Sequence, residues 1–141
     1  MKPRIVKSVP VGEELAPLSK AIMQRQMDCY SGVRQHSLHT DAEWAKKRGF
    51  KAPIAQALML TAYVSELMVR HFGIGYIVGG KMSVSFTKPV YAGDTLTVRG
   101  RVKSRQPEGT AMRVTVDVWC ENAEGVMTLV GTASGLEPGS S

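Results

Sequence analysis

The segment from Tyr30 to Ala57 holds most of the residues that could do chemistry in this chain. It contains two histidines, His36 and His39, and these are flanked by Arg34 and Asp41. An imidazole exchanges protons near neutral pH, whereas a guanidinium stays protonated and can only bind anions. Because a long apolar stretch follows directly, the sequence predicts an acid–base or anion-binding site at the start of a central helix.

That central helix is predicted from Ile54 to Phe72. Its apolar residues cover most of the helix circumference, which is typical of a helix buried by its neighbours on most sides. Gly73 and Gly75 are predicted to end it. The apolar set is Ile54, Leu58, Met59, Leu60, Tyr63, Val64, Leu67, Met68 and Phe72.

A shorter helix is predicted just before it, from Asp41 to Arg48. The pattern Thr40-x-x-Glu43 has the form of a capping box, in which the Thr40 hydroxyl accepts a backbone N–H and Glu43 reaches back. Gly49 would then end this helix.

Small irregular elements are expected before this helical region. Among them, an apolar-alternating stretch from Leu18 to Met23 precedes a helical Gln24 to Tyr30. After the central helix, apolar and polar residues alternate in every further segment, which predicts strands around Met82–Phe86, Leu96–Val102 and Met112–Cys120 and a last one over Val126–Gly135. Turns between them are marked by Gly93-Asp94, Pro107-Glu108-Gly109 and Asn122-Ala123-Glu124-Gly125.

One long helix followed by four strands predicts an α+β hot-dog fold, in which an antiparallel meander curls around the helix. Such a sheet leaves a long edge strand uncovered, so a homodimer or a higher homo-oligomer is expected.

The composition is that of a packed globule, since 43% of the 141 residues are hydrophobic and 21% are charged. We therefore expect one domain over residues 1–141. No apolar run reaches the roughly 18 residues of a transmembrane helix. No apolar segment follows Met1-Lys2-Pro3-Arg4 to form a signal peptide, so we expect no membrane partner and a cytoplasmic location. Cys29 and Cys120 are isolated and are expected to be reduced.

The formal net charge of +6 does not indicate nucleic acid binding, because the basic residues are scattered and are not interleaved with aromatic ones. Their densest group, here called the basic cluster, would suit a phosphate-bearing small molecule, with a solvated helix face as the alternative. No metal is expected, since His39 and Asp41 lack further ligands at recognisable spacing. The basic cluster consists of Lys46, Lys47, Arg48 and Lys51.

The chain contains the motif F-x-x-P-V-x-x-G-D, from Phe86 to Asp94. It also contains His39-Thr40-Asp41, Ala45, Gly49-Phe50, Pro53 to Ala57 and Lys81 to Leu96. Together, over roughly Leu18 to Glu137, these residues resemble the MaoC-like, (R)-specific enoyl-CoA hydratase family of hot-dog proteins. The first motif is the most specific of them.

The resemblance implies reversible addition of water to a 2-enoyl thioester, giving an (R)-3-hydroxyacyl thioester. His39 matches the family histidine, but the aspartate five residues before it is replaced by Arg34. Either another acid has taken over, with His36 or Asp41 taking part, or hydration is lost. Arg34 itself would then bind an anionic substrate group.

Two positions on the central helix are also implied. Ala57 stands where the family has a glycine whose N–H polarises the thioester carbonyl, and Ser65 stands where a serine often binds water. Met59, Tyr63 and Leu67 would line the acyl pocket, with ordinary core packing as the alternative. CoA or an acyl carrier would bear the substrate, and no cofactor is implied.

Two other functions stay open. A hot-dog thioesterase would need a carboxylate near the helix start, and Glu66 is the only one on that helix. A non-catalytic protein that binds acyl thioesters would be compatible with the loss of the family aspartate at Arg34.

Overall fold

A computed structural model describes residues 8–139, and in it a five-stranded antiparallel sheet lies against one long helix. This confirms the predicted α+β hot-dog class. Met1–Arg4, from which no signal peptide was predicted, lie outside the described residues. Within residues 8–139, no helix is long and apolar enough to cross a membrane. The elements are β1 (Leu18–Ala21), α1 (Gln24–Ser31), α2 (Ala42–Lys47), α3 (Ala57–Phe72), α4 (Ile74–Gly79), β2 (Lys81–Phe86), β3 (Thr95–Glu108), β4 (Ala111–Glu121) and β5 (Met127–Pro138).

The core lies between α3 and the sheet, because strand alternation turns one row of β4 side chains toward the helix. Burying each such side chain contributes about 1.5–3 kcal/mol. The end of α3 lies close to the sheet because β5 has a glycine there. A Cβ on Gly135 would lie 2.6 Å from the Phe72 ring. The fully buried residues include Val64, Leu67 and Met68 of α3 and Val114, Val116 and Val118 of β4.

The predicted four-strand meander is wrong in one respect. The strand order is β1-β3-β4-β5-β2, so only β3, β4 and β5 form a meander. β2 lies at the far edge beside β5, with Val84 opposite Gly131, whereas β1 extends the other edge beside β3. The connection from Thr87 to Asp94 therefore crosses the end of the sheet. It ends in a turn where Gly93 has φ +94° and Asp94 Oδ2 accepts from the Tyr91 N–H at 2.9 Å.

The central helix begins at Ala57 and not at Ile54. Ile54 forms an isolated bridge with Tyr91 instead, so its backbone is extended. One side of α3 is also open, since Leu58 remains 65% exposed.

The helix α4 is absent from the sequence prediction, in which Gly73 and Gly75 ended all helical structure. Gly73 does end α3 with φ +55°. Gly75 instead lets α4 pack onto β5, because a Cβ there would lie 1.9 Å from the Leu136 carbonyl oxygen.

The short helix α2 is confirmed, but its predicted capping box is wrong. Its N-cap is Asp41, whose side chain accepts from the Trp44 N–H. The Thr40 hydroxyl faces the preceding loop, where it accepts from Arg34 N at 2.9 Å and donates to Arg34 O at 3.0 Å. Aspartate and threonine are both good N-cap residues, so the capping-box pattern at Thr40 did not exclude Asp41 as the N-cap.

Other boundaries differ from those predicted by a few residues. β3 continues beyond Val102 to Glu108, which confines the second turn to Gly109 and Thr110. The last turn lies where it was predicted, and Asn122 Oδ1 accepts from the N–H groups of Glu124 and Val126 there.

Candidate functional site

The backbone just before α3 is held from both sides. Ile54 N donates to Leu38 O at 2.9 Å, and Ala55 N donates to Val90 O at 2.8 Å. One bond ties this segment to the loop that carries His39, and the other ties it to the crossing connection after β2. Three parts of the chain that are distant in sequence therefore meet at the N-terminus of α3.

His39 is half-buried at this junction, and its ring orientation is set by one short hydrogen bond. Its Nδ1 lies 2.7 Å from the Ile54 carbonyl oxygen. A carbonyl can only accept, so the neutral ring carries its proton on Nδ1 and keeps the Nε2 lone pair free. The structure thus provides an imidazole with a base at Nε2.

A cavity of about 320 Å³ opens beside His39. Its walls are mostly apolar, and none of the described residues that line it is a carboxylate. His39 and Lys88 are the titratable residues among them, and Thr87 adds a hydroxyl that already donates to Met127 O at 2.7 Å. The lining consists of His39, Phe50, Ile54, Ala55, Ala57, Leu60 and the run from Phe86 to Val90.

Ala57 lines the same cavity as His39 and is the first residue of α3. The first four N–H groups of a helix have no acceptor within the helix, and the helix dipole places partial positive charge at this end. The Ala57 N–H is therefore available to an oxygen that develops negative charge in the cavity.

The other three candidates of the histidine loop do not line the cavity. Arg34 is exposed, and its backbone is bonded to Thr40. His36 is exposed, with φ +56° and its ring centroid 4.6 Å from that of Trp44.

Asp41 has both carboxylate oxygens occupied by backbone donors, from Trp44 N at 3.0 Å and from His36 N at 2.9 Å. These hydrogen bonds, the one from Trp44 first, lower the pKa of Asp41. A carboxyl group with a lowered pKa is a poor proton donor at neutral pH, so its placement favours the capping role.

A family model described as the MaoC like domain matches residues 6–123 of the chain. The chain belongs to the MaoC-like domain family. No curated protein sequence is significantly similar to it.

Solved structures agree with the fold of this MaoC-like chain. An unliganded (R)-hydratase from Pseudomonas aeruginosa has a TM-score of 0.75 and 26% identity, covering 94% of this chain and 84% of that one. An (R)-hydratase from A. caviae has a TM-score of 0.73 and 23% identity, and the match covers 93% of this chain and 99% of that one. A chain of the 3R-hydroxyacyl-ACP dehydratase complex of Mycobacterium tuberculosis has a TM-score of 0.66 and 22% identity, and the match covers 93% of this chain and 99% of that one.

Within this MaoC-like domain, the other predicted helix residues lie away from the cavity. Met59 is buried in the core and Tyr63 packs against it, whereas Ser65 is half-buried further along α3. Burial, and then the charge of Glu66, raises the pKa of Tyr63. Because residues three apart share a helix face, Leu60 lines the cavity with Ala57 instead.

Sequence reasoning about this MaoC-like chain missed Phe50, Leu60 and the wall from Phe86 to Val90. The available signal was the F-x-x-P-V-x-x-G-D motif, to which the sequence analysis gave no part in the site. Its first half forms one side of the cavity.

The basic cluster of this MaoC-like chain is exposed and lies partly on aromatic rings. The Arg48 guanidinium carbon is 4.5 Å from the Trp44 ring centroid, and Lys51 Nζ is 4.5 Å from that of Tyr91. Such contacts are worth about 0.5–1 kcal/mol at exposed sites and leave the charges accessible. Lys51 follows the cavity-lining Phe50 directly, so positive charge adjoins the cavity.

Proposed function

We propose that this chain is a lyase that interconverts 2-enoyl and (R)-3-hydroxyacyl thioesters. The observation that carries the proposal is the meeting of His39, with a free Nε2, and the Ala57 N–H at one mostly apolar cavity. The membership of the MaoC-like family and the fold shared with two (R)-hydratases support it.

In the proposed hydration, His39 Nε2 takes a proton from water as the water oxygen attacks C3. The electron pair of the double bond moves onto the thioester, where the Ala57 N–H stabilises the enolate oxygen. The imidazolium so formed then returns its proton to C2. One residue thus serves as base and acid, which suits a cavity whose described lining has no carboxylate.

The substrate is carried by CoA or an acyl carrier and needs no cofactor in this scheme. Lys88 and the basic cluster would meet the phosphates of the carrier. Acyl length would be limited by the apolar walls at Leu60 and Phe86. We keep Arg34 in the proposal only as a contact for an anionic group, because its exposed side chain does not line the cavity.

One observation favours a second function, the binding of acyl thioesters without turnover. The described cavity lining has neither the family aspartate nor a substitute carboxylate. The thioesterase alternative lacks such support, since Glu66 is paired with Lys20 and Arg70 well beyond the helix start.

The chain is further proposed to be a cytoplasmic homodimer formed through β2. This edge strand is uncovered in the single chain, and α4 leads directly into it with Ile74, Ile77 and Val78 exposed. A partner at this edge would cover those residues and lie beside Phe86, which lines the cavity.

The deciding experiment follows the absorbance of a short trans-2-enoyl-CoA with the wild type, His39→Ala and Arg34→Asp. Loss of the double bond with wild type but not with His39→Ala supports the lyase. Binding of the thioester by a wild type that does not turn it over would refute the lyase in favour of the binding function. A gain of activity in Arg34→Asp would then show that the missing carboxylate is the cause.

A further inference from the structure

The helix α1 touches the two parts of the site through two buried or half-buried glutamines. Gln24, at the start of α1, donates from Nε2 to His39 O and to Asp28 Oδ1, both at 2.9 Å. A primary amide has two N–H donors, so both are used. The Asp28 contact, one turn along the same helix, orients the amide toward the His39 carbonyl.

Gln56 makes the corresponding contact from the other side. It is the N-cap residue of α3, is only 5% exposed, and precedes Ala57 directly. Its Nε2 donates to Met27 O at 2.9 Å and to Ser31 Oγ at 2.8 Å, both in α1. The N-terminus of α3 is thereby attached to α1.

The orientation of the Gln56 amide is fixed by this contact. The Met27 carbonyl can only accept, so Nε2 must face it and Oε1 must point the other way. Both N–H donors of the amide are then used in holding α1.

These bonds close a ring. Gln24 joins α1 to the His39 backbone, His39 Nδ1 joins Ile54 O, and Gln56, two residues after Ile54, joins back to α1. The base and the N–H donor are therefore fixed relative to each other through α1, as well as through the direct His39–Ile54 bond.

We propose that Gln24 and Gln56 are positioning residues that hold His39 Nε2 and the Ala57 N–H at the separation the reaction needs. The catalytic part of this inference rests on the proposed lyase activity. Neither glutamine lines the cavity, so both act through the groups they hold.

The first test needs no substrate. Nitrogen-15 NMR of the histidine side chains reports which ring nitrogen carries the proton. The wild type should show His39 as a single Nδ1–H form, whereas Gln24→Met and Gln56→Met should shift its signals toward the mixed tautomers of a free imidazole. Gln106→Met, an exposed change on β3, is the matched control and should leave them in place. An unchanged His39 spectrum in both site variants would overturn the proposal, whether or not the chain proves to be a lyase.

The second test uses enoyl-CoA turnover. Each site variant should lose about tenfold to a hundredfold in kcat, because small misplacements of reacting groups cost this much, while KM changes by less than about twofold. The thermal midpoint should stay close to that of Gln106→Met. Gln24→Lys, which restores a donor beside Asp28 and His39 O, should recover most of the rate.

A double-mutant comparison separates positioning from general damage. In a His39→Ala background, Gln24→Met should have no further effect on the residual rate, because the group it holds is gone. A full additional loss there, or a rate loss matched by a fall in thermal midpoint that Gln24→Lys does not rescue, would assign the glutamines to stability alone.

Discussion

Replacing Ala57 by proline would remove one N–H from the cavity and add two ring carbons to its wall. Proline is well tolerated at the first position of a helix, where the missing N–H has no acceptor within the helix. The residue before a proline must be extended, and Gln56 already has φ −63° and ψ 136°. The fold should therefore accept Ala57→Pro without rearrangement.

The expected effects on stability and on rate are opposite in sign. Proline restricts the unfolded chain, which stabilises the fold by about 0.4–1 kcal/mol where the backbone is compatible. Loss of one donor to the enolate oxygen should lower kcat by about 10²–10³, or about 2.7–4 kcal/mol of transition-state stabilisation. Thermal unfolding and enoyl-CoA hydration on the same preparations measure both.

Two controls at the same position separate the N–H from steric effects. Ala57→Val adds two carbons to the cavity wall, as proline does, but keeps the N–H. Ala57→Gly keeps the N–H and restores the family residue. Both should retain most of the activity. If Ala57→Pro hydrates as fast as Ala57→Val, the N–H does not act on the substrate and the proposed role of Ala57 is wrong.

Three further outcomes are expected elsewhere in the chain. Burial, ahead of the opposing effect of Glu137, lowers the pKa of His71, so the folded state takes up its proton less readily than the unfolded state. The free energy of unfolding should therefore fall as the pH drops through and below about 6.5, the ordinary pKa of imidazole. Urea unfolding should show a smaller fall in His71→Gln than in the wild type. Ile77→Glu, at a site 68% exposed in the single chain, should yield a folded monomer by light scattering if β2 and α4 form the dimer. Lys88→Glu should raise KM for a CoA thioester about fivefold at low salt with kcat unchanged, since an exposed charge pair is worth about 1 kcal/mol or less.

Each of these has a matched control. For His71, the same pH dependence of stability in His71→Gln as in the wild type would mean that His71 does not cause it. Val11→Glu, another exposed apolar position, should leave the oligomer intact, and a dimeric Ile77→Glu would move the interface elsewhere. For Lys88, Lys103→Glu on β3 should not change KM, and a KM increase that persists in high salt would not be electrostatic.

Much of the fold was predictable because periodicity is a local property. The alternation in β4 turns Val114, Val116 and Val118 toward α3, and that pattern is visible in the sequence without any partner. Strand order is not local. β2 follows α4 but pairs with β5, and nothing within β2 itself indicates that neighbour.

The same distinction explains α2 and α4. At the start of α2, Thr40 and Asp41 are both good N-cap residues, and the loop back to Arg34 decides between them. In α4, the glycines predict the end of helical structure. Gly75 is instead needed for the helix to lie on β5, and the sequence of α4 alone does not show that contact.

At the site, residue types located the centre but not its surroundings. His39 and Ala57 were predicted and line one cavity, whereas Met59 and Tyr63 pack in the core. The helix α3 starts at Ala57, three residues later than predicted. A change in where a helix begins does not rotate its faces. It does decide which residue supplies the free N–H at the helix start, and the cavity forms around that residue.

The motif from Phe86 to Asp94 joins the fold to the site. Because β2 and β3 occupy different parts of the sheet, the connection between them must cross the sheet end. There Val90 accepts from the Ala55 N–H and Tyr91 pairs with Ile54, the residue whose carbonyl orients His39. The crossing thus fixes the backbone to which the imidazole is bonded, while its first residues form the opposite wall of the cavity. A sequence pattern that specifies this crossing therefore also builds the cavity, even though most of its residues take no part in proton transfer.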